Sequence, residues 1–436
     1  MHYHFIGSKG IGMSALASYF RSRGIFVTGS DLGLGGHCAK NISKDIDLVI
    51  YSLAIKKNNP EIKRAKELKI PCISYAQALG KLTKEKFTIA VSGMHGKSTT
   101  ASLISLILDK AGLNPTVIVG TKIKEFNYSN FAVGGRPDFK KVNLSNKLKS
   151  EISSNGILVI EADEYCSSFL NYWPRILVLL NLEREHLDYF RNLSHIKRIF
   201  LEYISHLKKD DFLVVNKEDR NLKEIVKSAK CRVIFFSGKN FRDINPKFRE
   251  LRDDFSAALK VSEILKIPKE ISERVIKNFN GVWRRFDLRT IINGAEIYDD
   301  YAHHPTEIKL TLSIAKRITK NSLWVVFQPH QYKRTYLLFK DFVKSFDKAD
   351  KLVLVPIFSV PGRESLNIKR KINSEKLADS ILRRWKRLKY KKEIFFMDIK
   401  KVHKFLYKNL SEGDLCILMG AGDIYEKIQI SYPQDE

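Results

Sequence analysis

The residues best suited to chemistry lie between Phe87 and Thr100, where an apolar run, Phe87-Thr-Ile-Ala-Val-Ser92, leads into Gly93-Met-His-Gly-Lys-Ser-Thr-Thr100. Gly93 and Gly96 let backbone N–H groups converge on an anion, and the N-terminus of a following helix adds a favourable dipole. Lys97 brings a mobile positive charge and Ser98 a hydroxyl able to ligate magnesium. This is a cradle for the phosphates of ATP or a relative. The general phosphate-loop pattern has a further glycine five residues before the second; here that position is Val91.

Four more loops, each after a β-type run, carry groups that ionise or bind metal. Glu161-Ala-Asp-Glu164 follows Gly156-Ile-Leu-Val-Ile160, and a carboxylate there can meet magnesium held by Ser98. Asn181-Leu-Glu-Arg-Glu-His-Leu-Asp188 follows the next run, so His186 and Asp188 could face the same crevice, although histidine is less usual than oxygen on magnesium. Asp299-Asp-Tyr-Ala-His-His-Pro-Thr-Glu307 is dense in titratable groups. It also reads as a helix start with Thr306 as cap and Pro305 in the first turn. Gln328-Pro-His-Gln-Tyr-Lys-Arg-Thr335 combines His330, Lys333 and Arg334, and otherwise reads as a basic loop.

Strands alternating with helical patterns must position these loops, which predicts parallel α/β sheets. Three α/β domains are the economical division: a Rossmann-like one over residues 1–83, a central P-loop ATPase-like one over 84–280 and a Rossmann-like one over 281–436. The first opens with Tyr3-His-Phe-Ile-Gly7, a turn with Gly10 and Gly12, a helix over 14–23 and the strand Phe26-Val-Thr-Gly-Ser-Asp31. Lys81–Lys86 reads as a polar linker, and Arg136–Asn155, polar and lysine-rich, as an exposed insertion.

At 436 residues the chain exceeds one ordinary core, and 44% apolar residues suffice for several. Neither a signal-peptide pattern nor a run of 18 apolar residues occurs, so a soluble cytoplasmic protein is expected. The five cysteines, at 38, 72, 166, 231 and 416, never form Cys-x-x-Cys, which predicts reduced thiols and no zinc site. The net charge of +28 permits an anionic partner. Its densest run, Arg383–Lys392, carries Leu382, Trp385 and Leu388 at helical spacing, as a solvated helix packed by one stripe would.

Taken in order, Gly93–Thr100, Glu161–Glu164, Asn181–Asp188, Gly281-Val-Trp-Arg-Arg-Phe286, Asp299–Glu307, Phe327–Thr335 and Met419-Gly-Ala-Gly-Asp-Ile424 resemble the Mur ligases over nearly the whole chain. The Gln-Pro-His-x-Tyr-x-Arg-Thr run resembles the alanine-adding branch, and Leu201, where other branches carry a carbamylated lysine, agrees. Phe5–Ser14 and Gly29–Leu32 resemble the family's UDP-binding domain. The resemblance implies ATP and Mg2+ as cofactors, with UDP-N-acetylmuramate and L-alanine as substrates. ATP would phosphorylate the lactyl carboxylate, and the amine would displace phosphate from the acyl phosphate. By family position, Gly93, His95, Gly96, Lys97, Ser98, Thr99, Arg285 and Asp300 would bind nucleotide, and Ser98, Glu161 and His186 would hold or orient the metal. Gly7, Gly10, Gly12, Ser30, Asp31, Asn130, His330 and Arg334 would bind substrate. Lys97, His186, His303 and Arg334 would be catalytic. With these groups on different domains, domain closure on ligand is expected. Neither nucleic acid nor an obligate protein partner is expected.

Several positions depart from the family. Lys9 stands where the turn has its second glycine, and the chain passes from Asp31 to Gly36 almost at once, so the first domain is trimmed by roughly one βα unit. Leu251-Arg-Asp-Asp-Phe-Ser-Ala-Ala258 lacks the asparagine that would touch adenine. Glu185 replaces the usual Asp, and Gln331 stands where many members have arginine. A murein-tripeptide ligase, a basic nucleic-acid-binding ATPase and a degenerate UDP-sugar binder remain alternative readings. Lys97, expected to face ligand, should be replaceable by alanine without loss of fold.

Overall fold

Apolar runs bounded by glycine turns become the strands of three sheets in the computed structural model, which describes residues 1–185, 189–240, 246–360, 364 and 366–428. The described residues divide into two compact units, the first drawn from Met1–Arg184, Asn192–Asp243 and Leu251–Asn280. The second is drawn from Glu185–Arg191, Ile244–Glu250 and Gly281–Glu436.

The first unit carries two sheets. One contains β1 (His2–Ile6), β2 (Phe26–Ser30), β3 (Leu48–Tyr51) and β4 (Cys72–Ser74), in the order β2-β1-β3-β4 and parallel throughout. Its first helix is α1 (Ile11–Ser22); α2 (Pro60–Glu67) and α3 (Tyr75–Glu85) follow β3 and β4. Only two short 3-10 turns, Leu32–Leu34 and Ala39–Asn41, lie between β2 and β3 where the shortening was expected. The other sheet contains β5 (Phe87–Ser92), β6 (Thr116–Ile123), β7 (Ser129–Ala132), β8 (Ile157–Glu161), β9 (Ile176–Leu179), β10 (Phe212–Asn216) and β11 (Arg232–Phe236). Their order is β11-β10-β9-β5-β8-β6-β7, with only β7 antiparallel to its neighbour. β5 is buried along its whole length, as a central parallel strand covered on both faces must be. The second helix group begins with α4 (Lys97–Lys110), whose Ser98–Leu108 stretch is entirely buried.

Two expected surface segments proved structural. Lys81–Glu85 is the last turn and a half of α3, whose Leu79 and Leu82 are buried and whose start is fixed by a Ser74/Gln77 capping box. A Cβ on Gly80 would lie 2.4 Å from the Asn171 carbonyl oxygen, so backbone packs against this helix where the sequence suggested a linker. Within 136–155, Val142, Leu144 and Ile152 are buried and α5 spans Asn146–Asn155.

The second unit holds β12 (Asp287–Ile292), β13 (Ala295–Asp300), β14 (Leu323–Phe327), β15 (Lys351–Leu354), β16 (Glu393–Phe396) and β17 (Leu415–Met419), in the order β12-β13-β17-β14-β15-β16. All pairs but β12–β13 are parallel. The basic helix Ser374–Arg387 does bury one stripe, but it consists of Leu377, Ala378, Ile381 and Trp385, while Leu388 falls past the helix end and is exposed.

Candidate active site

The carboxyl ends of β8, β5 and β9 lie side by side, and each carries one predicted loop. After β5 the chain turns at Gly93 (φ 132°) and again at Gly96 (φ 87°), which precedes the first residue of α4. A side chain at Gly96 would meet Asp254 Oδ1 at 2.2 Å, and one at Gly93 would meet the Asn181 backbone at 3.1 Å. The glycines are therefore required by both torsion and space. Asn181, just past β9, clamps the loop: its amide accepts from His95 N at 2.8 Å and donates to His95 O at 2.9 Å. His95 Nε2 lies 2.5 Å from Glu183 Oε1.

Lys97 Nζ donates to Gly93 O at 2.6 Å, to Met94 O at 3.3 Å and to the Glu164 carboxylate at 3.0 and 3.3 Å. Burial pushes the Lys97 ammonium down, but the carboxylates of Glu164, Asp163 and Glu161 outweigh it and leave the pKa above the ordinary lysine value. Glu164 is fully buried, so Lys97 is its structural counter-ion and not only a ligand-facing group. That corrects the expectation that alanine at 97 leaves the fold intact, because a buried carboxylate without its partner is costly. Ser98 Oγ donates to Glu161 Oε2 at 3.0 Å, and Glu161 Oε1 accepts from Gly120 N at 2.7 Å. Thr99 is buried in the first turn of α4, and Thr100 Oγ1 donates to Asp254 Oδ1 at 3.0 Å. His186 and Asp188 lie outside the described residues.

At the first sheet, Gly7 N and Ser8 N donate to Ser30 O at 2.9 and 3.0 Å, closing the glycine turn onto the end of β2. Gly7 takes φ 83°, Gly10 precedes α1, and a Cβ on Gly12 would come within 3.0 Å of the Tyr75 ring and hydroxyl. The Asp31 carboxylate accepts from Lys9 N and Gly33 N, and Lys9 Nζ reaches Gly33 O at 3.0 Å, which lays the unexpected lysine along the loop. Ser30 Oγ points inward to Glu61, at 2.6 Å. Asn130 Nδ2 donates to Ile11 O at 2.6 Å and Ser14 Oγ at 3.0 Å, joining the β7 strand to α1.

In the second unit, Asp300 ends β13 and accepts from Phe286 N and Ala302 N, both at 2.8 Å. Burial raises its carboxyl to about 6, Arg285 beside it pulling the other way. Arg285 lies 3.6 Å from Glu307. His303 Nδ1 is 3.0 Å from Tyr301 O, and burial lowers its imidazole to about 4, so it is neutral at pH 7. The His303 and His330 rings are 5.8 Å apart, and Arg334 Nη1 reaches His330 Nδ1 at 3.2 Å. Arg334 Nη2 donates to Glu185 Oε1 at 3.0 Å, and His304 Nε2 lies 3.2 Å from Glu185 Oε2. Thus His303, His330 and Arg334 form one cluster. The cap of the helix Pro305–Ile318 is His304 rather than Thr306: Thr306 N donates to His304 Nδ1 and Glu307 reaches back to His304 N.

Three domain families match along the chain: Mur ligase family, catalytic domain, over residues 2–87, Mur ligase middle domain over 91–277, and Mur ligase, glutamate ligase domain over 284–422. The UDP-N-acetylmuramate–L-alanine ligase of Acetivibrio thermocellus is 36% identical over 98% of this chain and 94% of its own. That of Clostridium botulinum (strain Hall) is 37% identical over 98% and 96%.

The chain belongs to the Mur ligase family.

Among solved structures, the UDP-N-acetylmuramate-alanine ligase of Thermotoga maritima superimposes with a TM-score of 0.76 at 24% identity, covering 98% of this chain and 97% of the other. A murein peptide ligase of Psychrobacter arcticus gives 0.68 at 20% identity, covering 98% of each. Both establish the three-sheet Mur ligase fold. Sequence reading assigned no role to Glu164, Asn181, Asp254 or Glu61 in the first unit, nor to Arg284 in the second. Glu164 and Asn181 did sit in loops singled out at strand ends. Arg284, by contrast, is recognisable only in three dimensions: its guanidinium bonds Asp299 at 3.1 Å and Gly420 O at 2.7 Å and lies over Trp283, Tyr301 and Tyr425.

Proposed function

We propose that this chain joins L-alanine to the lactyl carboxylate of UDP-N-acetylmuramate at the expense of ATP, in peptidoglycan precursor synthesis. The observation that carries the reading is the 36% identity over 98% of the chain to a ligase named for that reaction. In the reaction a carboxylate oxygen attacks the γ-phosphorus and ADP departs; the alanine nitrogen then attacks the acyl carbon, loses a proton and expels phosphate. Two anions meet in the first step, so the catalytic need is neutralisation of phosphoryl charge.

The loop Gly93–Thr99 supplies N–H groups and Lys97 an ammonium for the phosphates. Ser98 and Glu161 offer oxygen donors 3.0 Å apart, a set that suits magnesium. When bound, magnesium supplies further charge neutralisation on the phosphate oxygens. His186 belongs to this proposed set by family position. Arg285 and Asp300 are assigned to the nucleotide. Arg334 and His330 are assigned to the carboxylate of alanine, and His303, neutral at pH 7, to the incoming amine. Gly7, Gly10, Gly12, Ser30, Asp31 and Asn130 are assigned to the UDP-sugar at the α1 turn.

Phosphate release from Mg-ATP, measured with UDP-N-acetylmuramate and alanine, glycine, serine or murein tripeptide in turn, tests the reading. Release with alanine and a product heavier by one alanyl residue supports it. Release only with tripeptide would transfer the assignment to the recycling ligase, and release with none would refute both.

A further inference from the structure

Glu61 is fully buried at the start of α2, where Asn59 Oδ1 accepts from Glu61 N at 2.8 Å, and the reaction chemistry has no use for it. Its carboxylate gathers donors from one stretch of chain: Ser30 Oγ at 2.6 Å, Cys38 N at 3.1 Å and Asn41 Nδ2 at 2.5 Å. His4 Nε2 and His37 Nδ1 stand 3.6 and 3.7 Å from the same Oε2. All but His4 lie at the end of β2 or in the short connection to β3. A buried anion is tolerable only when so many donors converge on it, and the helix N-terminus beneath it helps. Burial raises the Glu61 pKa, yet those hydrogen bonds outweigh it and hold the group at about 2.

A relay leads from this carboxylate to the glycine turn. Glu61 fixes Ser30, and Ser30 O accepts from Gly7 N, Ser8 N and, at 3.2 Å, Ser8 Oγ. Asp31, next in sequence, accepts from Lys9 N at 3.0 Å. The glycine turn before α1 is therefore tied to the end of β2 through the Gly7, Ser8 and Lys9 amides, and β2's last residue is held by Glu61. A connection with only two 3-10 turns has no helix of its own to hold it in place.

We infer that Glu61 is a positioning residue for the UDP-sugar: by pinning Ser30 and the 37–41 segment it sets the shape of the diphosphate-facing turn Gly7–Gly10. The inference rests on the proposed function. It is tested with Glu61→Gln, which keeps volume but replaces one acceptor by a donor, facing either Ser30 Oγ or the Cys38 N–H and Asn41 amide. The expected result is a KM for UDP-N-acetylmuramate raised 10-fold or more, with kcat and the KM for ATP and alanine within about threefold of wild type. Calorimetry should agree: weaker UDP-N-acetylmuramate binding and unchanged Mg-ADP binding. Asn41→Ala, at an exposed residue, removes a single donor and should raise the same KM two- to fivefold, so the idea stays testable if Glu61→Gln does not fold. Equal losses for both ligands, or no change in either, would overturn it, because a general scaffold role affects both alike. If wild type binds Mg-ADP but not UDP-N-acetylmuramate, the proposed function itself falls and takes this inference with it.

Discussion

Gly96→Ala tests the phosphate loop at its tightest point. Gly96 holds φ 87°, a left-handed conformation costing an L residue about 1–2 kcal/mol. The added Cβ would also sit 2.2 Å from Asp254 Oδ1, far inside contact distance, so the carboxylate must swing away. That movement breaks the buried Thr100–Asp254 hydrogen bond, which with a charged acceptor is worth about 1.5–3 kcal/mol. The total is about 2.5–5 kcal/mol, a fall in melting temperature on the order of 10 °C. Repeating the change in an Asp254→Ala background separates the two parts: the carboxylate clash and the hydrogen bond are already gone, so the torsional ~1–2 kcal/mol should remain, with the milder 3.1 Å contact to Leu180 Cδ1. Thermal melts of the four proteins give the coupling, and calorimetry with Mg-ADP should show at least tenfold weaker binding for Gly96→Ala. Equal destabilisation in both backgrounds would refute the contact argument, and unchanged ADP affinity would refute the role of the loop.

Three further outcomes follow from the site geometry. Lys97→Ala should abolish phosphate release and also destabilise by about 3–5 kcal/mol, since Glu164 loses its buried counter-ion; Lys97→Met with Glu164→Gln should recover the melting temperature without recovering release. Arg284→Lys cannot reach Asp299 and Gly420 together or keep the stacking on three rings, and should cost about 2–4 kcal/mol by melting. His303 titrates near 4 when folded against 6.5 unfolded, so the unfolded chain binds more protons in that window and His303 contributes stability above it that is lost as pH falls from 6.5 to 4. Asp299 and Asp300, raised to about 6 chiefly by burial, act in the opposite sense between 3.8 and 6. The stability of wild type relative to His303→Gln should therefore rise from pH 4 to pH 7; a flat difference would contradict the burial of this imidazole.

The sequence by itself determined the parts whose information is local. Alternating apolar runs and glycine turns specify strands followed by ligand-facing loops, and a glycine-bracketed Lys97-Ser98 can be read without knowing what lies opposite. The mostly apolar and fully buried β5 was legible for the same reason, whereas Arg232–Phe236 and Ser129–Ala132, short edge strands with exposed or half-exposed positions, carry no such pattern. Tertiary structure alone decided which acid meets which partner. Ser30 and Glu61 are 31 residues apart, Thr100 and Asp254 are 154, and Arg284 and Gly420 are 136. Nothing in their local sequence favours those pairings. Chain topology brings them together, and burial then makes every unpaired charge or donor expensive enough to fix them. That is why Lys97, legible as a phosphate ligand, shows its second role as a counter-ion only where Glu164 lies beneath it, and why Glu61, silent in the sequence, is seen to gather Ser30, Cys38 and Asn41.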